Sequence, residues 1–85
     1  MKTLQDKLVK YGFVKLNYFW YFWYIVLQGR GVYKEEDTKR LIYKYVVVGK
    51  AKSLCMEVNS IWIVFLIKDT LYISTMNGEL YKQTK

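Results

Sequence analysis

The sequence predicts an α+β chain, mainly β: a short N-terminal helix followed by an antiparallel meander of five or six strands forming a small barrel or sandwich. Three observations lead there. Residues 3–12 carry helix start and stop signals. Ten consecutive apolar residues, 18–27, open with seven adjacent aromatics. Beyond residue 38, apolar segments alternate with turn pairs every nine or ten residues, the rhythm of a meander.

The helix comes first. Thr3 and Asp6 fit a capping box, in which the hydroxyl accepts from a first-turn amide and the carboxylate accepts from the cap amide. Gly12 supplies a left-handed stop, and Phe13 falls where a Schellman end sets an apolar residue against Leu8. Leu4, Leu8 and Tyr11 make the inward stripe, leaving Lys2, Lys7 and Lys10 outward.

The next segment, 14–28, is apolar on either template, so composition decides. Tyr, Phe, Trp, Ile and Val favour the pleated surface. As a strand, it places Tyr18, Trp20, Phe22, Tyr24 and Val26 on one face and Phe19, Tyr21, Trp23, Ile25 and Leu27 on the other. One face builds the core. The other needs a cover, because five large apolar side chains exceed what a monomer usually leaves in water.

Gly29-Arg30-Gly31 ends that strand, and Glu35-Glu36-Asp37 reads as a solvated turn, lacking the alternate spacing of a calcium loop. The later strands are expected at 40–48, 51–58, 61–67, 70–76 and 79–83, separated by Gly49-Lys50, Asn59-Ser60, Lys68-Asp69 and Asn77-Gly78. The segment 50–58 also fits a helix through Ala51, Leu54, Cys55 and Val58; the turn rhythm favours strand. Asn77-Gly78 suits a type I′ turn, which sets Thr75 opposite Leu80 and places Leu71, Ile73, Thr75 and Leu80 on one face. Segment 61–67, apolar throughout, suits a central strand covered on both sides.

Composition bounds the rest. With 85 residues, no Pro and five Gly, residues 1–85 are expected to form one domain with short loops. A hydrophobic share of 53% argues against disorder. The aromatic run is about half the length of a membrane span, so an integral membrane protein is not expected. It is not read as a signal segment either, because 17 residues with a helix of their own precede it and it lacks the usual Leu and Ala. A single cysteine, Cys55, allows no internal disulfide and points to a reducing, cytoplasmic setting with a buried, inert thiol.

Function is expected to be non-enzymatic. There is no histidine for a Ser-His or Cys-His pair or a conventional zinc site, and no phosphate-binding Gly-rich loop, so neither cofactor nor metal is expected. The net charge of +7 is spread along the chain and favours phosphate or anionic-surface partners. Three readings stay open. The first is single-stranded nucleic-acid binding, with Tyr18, Trp20, Tyr21, Trp23 and Tyr24 as base-stacking candidates and Lys15, Arg30, Lys39, Arg40 and Lys44 following the backbone. The second is a protein-interaction or homo-oligomerising module with the aromatic strand at its interface. The third is association with a membrane surface. In architecture alone, a short helix leading into a small basic barrel resembles the Sm-like barrels, many of which bind RNA; no residue of the Sm signature is present, so no site is carried over.

Overall fold

A computed structural model describes residues 3–16, 31–32 and 34–84. In chain order these form α1 (Leu4–Lys10), β1 (Phe13–Leu16), α2 (Glu35–Tyr45), α3 (Val48–Cys55), a 3₁₀ turn (Val58–Ser60), β2 (Ile61–Ile67), β3 (Thr70–Thr75) and β4 (Leu80–Gln83). The four described strands make one open antiparallel sheet in the order β1-β4-β3-β2. The class is therefore α+β, with an antiparallel sheet and three α-helices among the described residues. The sheet does not close, so the likeness to a small barrel ends there. The long aromatic segment 18–27 lies outside the described residues, as does most of the strand expected over 14–28, of which β1 is the beginning.

Helix α1 forms as its signals predict. Thr3 and Asp6 close the capping box, Gly12 takes φ +91°, and Leu4, Leu8 and Phe13 are buried together. The last three segments also pair as antiparallel strands. Strand β2, expected to be central, instead ends the described four-stranded sheet, with only the Val32 bridge beyond it, although its side chains are apolar on both faces.

Segments 40–48 and 51–58 are helices, not strands. In α2 the residues facing the core are Thr38, Leu41, Ile42 and Tyr45, spaced three and four apart. The carboxylates of Glu35, Glu36 and Asp37 are its first turn, where the helix dipole favours negative charge, and Lys44 is in its last. The expected solvated turn is thus a helix start. In α3, Ala51, Leu54 and Cys55 are buried, which is the helical alternative for this segment. Gly49, expected in a turn, is in the first turn of that helix with open space where a Cβ would be. Burial pushes the Cys55 thiol above its ordinary pKa, which suits an inert core residue.

The β3–β4 connection also differs from expectation. Lys68 and Asp69 both take positive φ (49° and 64°), so the two-residue primed turn belongs to β2–β3. At Asn77-Gly78 only Gly78 does (φ +83°). Gly78 N–H donates to Thr75 O at 3.0 Å and Thr75 N–H to Glu79 O at 2.9 Å, giving a three-residue loop, Met76-Asn77-Gly78, with a left-handed glycine before the pair closes. The extra residue shifts the register by one. Ser74 faces Leu80 and Ile73 faces Tyr81, so Leu80 leaves the face of Leu71 and Ile73 for the opposite one.

Both sheet faces are consequently apolar. Against the helices lie Phe13, Ile61, Val64, Leu71, Ile73 and Tyr81. On the other face Ile63, Phe65, Tyr72 and Leu80 form a second buried cluster, with the Phe65 and Tyr72 rings stacked 5.1 Å apart. A bulge between Ile61 and Ile63 turns Trp62 out of strict alternation. Beyond β2, Val32 and Val64 exchange hydrogen bonds at 2.9 and 3.2 Å. No described helix is long and apolar enough to cross a membrane.

The two glycines separate these assignments in a stability measurement. Gly49→Ala should stabilise by up to about 1 kcal/mol, because alanine suits a helix better and meets nothing there. Gly78→Ala should destabilise by about 1 kcal/mol through its left-handed φ. A destabilised Gly49→Ala protein in urea unfolding would contradict a helix at 48–55.

Candidate nucleic-acid interface

The sheet has two ends with different chemistry. At one, β1 begins, β4 finishes, and β2 turns into β3, so Phe13, Gln83 and Leu71 come together. Gln83 ties this end to α2: its side-chain amide donates to Tyr45 O at 3.0 Å while its Oε1 accepts from Leu71 N–H at 3.3 Å. Thr84 donates to Gly12 O through both its amide and its hydroxyl, which brings in the end of α1. At the other end are the Met76–Gly78 loop, the 3₁₀ turn and the N-termini of α1 and α2; Thr3, Gln5, Asn59, Met76 and Asn77 share one cleft there.

Charge is divided between these ends. Helix starts and the Glu79 turn place Asp6, Glu35, Glu36, Asp37, Glu57 and Glu79 at the Met76 end, leaving Asp69 as the one acidic side chain of the sequence at the other. Among the described residues the ion pairs also gather at the Met76 end: Lys7–Glu57 at 3.2 Å, Lys15–Glu79 at 2.6 Å, Lys39–Glu35 at 3.0 Å and Arg40–Asp37 at 3.9 Å. Lys7 also donates to Ser53 O at 3.3 Å, fastening α1 to α3.

At the opposite end, none of the ion pairs among the described residues involves Lys10, Lys44 or Lys50. Lys10, Lys44 and Lys50 are exposed, as are Lys68 in the β2–β3 turn and Lys82 on β4. Two half-buried tyrosines accompany them. Lys50 Nζ lies 5.9 Å from the centre of the Tyr11 ring, and Lys44 Nζ lies 5.6 Å from that of Tyr45. Ammonium groups beside aromatic rings can meet phosphates and π-faces together, the combination a single strand requires.

The residues expected from sequence are dispersed. Tyr18, Trp20, Tyr21, Trp23, Tyr24 and Arg30 lie outside the described residues. Lys15, Lys39 and Arg40 are each held by a carboxylate, and only Lys44 falls at the lysine-rich end. Lys10, Tyr11, Tyr45 and Lys50 were not singled out. Their convergence depends on α2 and α3 being helices, and the three- and four-residue spacing of the buried positions was the signal that could have shown it. Among the described residues no cluster of acidic and thiol side chains is arranged to hold a metal ion.

The chain matches no protein-family model, no curated protein and no solved structure.

At the Met76 end, the hydrogen bond from Lys15 holds the Glu79 carboxyl below its ordinary pKa, against the upward pull of burial, and Gln5 adds a second donor. A carboxyl whose pKa is lower when folded stabilises fully above the ordinary value of about 4.3, and that contribution is lost as pH falls through and below it. Thermal midpoints of the native protein should therefore drop more steeply between about pH 5 and 3 than those of Glu79→Gln. Parallel curves would remove this assignment.

Proposed function

We propose that this protein is a small non-enzymatic binding module for single-stranded nucleic acid. The observation that supports the reading best is the segregation of charge: among the described residues the ion pairs take Lys7, Lys15, Lys39 and Arg40 elsewhere and leave out Lys10, Lys44 and Lys50, the last two beside the Tyr45 and Tyr11 rings. Lysines follow the phosphates and the tyrosines offer surfaces to bases, without reading a particular sequence. The strand would cross the C-termini of α1 and α2 and the start of α3. Sequence preference is accordingly weak and salt dependence strong.

Titration of a fluorescent oligonucleotide across a salt series tests this. Replacing Lys10, Lys44 and Lys50 by Gln should reduce the slope of log affinity against log salt by about 2, at roughly 0.7 per phosphate contact. Tyr11→Leu with Tyr45→Leu should weaken binding at every salt concentration while leaving the slope unchanged. An unchanged slope in the lysine variant, or no binding by the native protein at low salt, would refute the proposal.

A further inference from the structure

The two tyrosine–lysine pairs sit on different helices, and consecutive residues at the end of β4 grip both. Gln83 uses its whole side chain: the amide donates to Tyr45 O at 3.0 Å, and Oε1 accepts from Leu71 N–H at 3.3 Å. Tyr45 is the last residue of α2, so that carbonyl is one of those a helix end leaves without an internal partner. Thr84 does the same for α1. Its amide donates to Gly12 O at 3.0 Å, and its hydroxyl reaches the same oxygen. Gly12 directly follows Tyr11, the C-cap of α1. One strand end therefore ties down both helix ends that carry the tyrosines.

Geometry bounds the gap between them. Gln83 and Thr84 are covalent neighbours, so with ordinary bond lengths and those hydrogen bonds Tyr45 O and Gly12 O lie no more than about 14 Å apart. Four stacked nucleotides at about 3.4 Å each cover the same length. Lys50 stands 5.9 Å from the centre of the Tyr11 ring and Lys44 5.6 Å from that of Tyr45, so each helix end offers a cation and an aromatic surface. The clamp itself is neutral. An amide and a hydroxyl satisfy the helix carbonyls without bringing a carboxylate beside a path for phosphates.

We infer that Gln83 and Thr84 are positioning residues: they hold the two tyrosine–lysine pairs at a fixed spacing, so that the protein takes a continuous strand of about four or more nucleotides rather than single nucleotides. The inference rests on the binding reading above and adds a length requirement to it. Once one pair is engaged, the other meets the same strand as an intramolecular event, and its effective concentration is high only while the spacing is held. Without the two side chains, the last turns of α1 and α2 fray as helix ends do, and the pairs act independently. Gln83 is half-buried and Thr84 exposed, so replacing them spares the core.

A length series tests this. In fluorescence titrations with oligothymidylates of about two to eight nucleotides, affinity for the native protein should rise about tenfold or more once the strand spans both pairs. Gln83→Met with Thr84→Val should bind the shortest strands as the native protein does and show a rise of less than about threefold, and each single replacement should lose part of it. Thr84→Ser, which keeps the hydroxyl, should retain the rise. Gly78→Ala, which lowers stability at the far end of the sheet, should retain it too, with circular dichroism checking that every variant is folded. A native affinity without the rise, a rise that survives in the Gln83→Met/Thr84→Val protein, or one that disappears equally in Gly78→Ala would overturn the inference and leave the binding reading in place. Absence of binding at every length would overturn both.

Discussion

Strand β2 carries seven apolar side chains and no polar one, so both of its faces have to be kept from water. Most of the architecture answers that requirement. Val64 looks toward α1, α2 and α3, while Ile63 and Phe65 look the other way into a second cluster with Tyr72 and Leu80. Its partner β3 is buried from Leu71 to Thr75 and has the same need. A sheet that spends most of both faces on apolar contact leaves charged groups the outer surfaces of the helices, the ends of the strands and the β1–β4 side, where Lys15 and Lys82 are exposed.

That restriction links fold to site. Helix starts attract carboxylates, and the starts of α1 and α2 point the same way, so acidic groups collect at the Met76 end. Helix ends favour cations, which puts Lys10 and Lys44 at the other. Tyr11 and Tyr45 occupy the same ends because a tyrosine can bury its ring edge in the core and keep its hydroxyl wet. The lysine-and-tyrosine surface thus follows from ordinary helix electrostatics acting on elements that a two-faced sheet has aligned.

The helix α1 was legible because capping is local: Thr3, Asp6 and Gly12 interact within nine residues of one another. Strands β2 to β4 were legible because turn residues punctuate them. The segments 40–48 and 51–58 misled because Tyr, Val and Ile favour strands by composition, whereas Thr38, Ile42, Ala51 and Leu54 are buried at helical spacing. Packing against Val64, Ile73 and Leu8 overrode propensity. The register of β3 and β4 misled for a smaller reason. Asn77-Gly78 supports either a two- or a three-residue loop, and one residue decides which face Leu80 takes.

The sequence alone determined the α+β class, the first helix, the antiparallel pairing of its last three segments and the basic charge, all of which rest on neighbours along the chain. Tertiary structure decided which cations remain without carboxylates and which aromatic rings they meet. Lys10 and Lys44, or Tyr11 and Lys50, are more than thirty residues apart, and only the packing of three helices on one face of the sheet brings such positions to the same end. Ion pairing is a property of distance in space, so Lys15, Lys39 and Arg40 could be read as charged from sequence but not as already partnered.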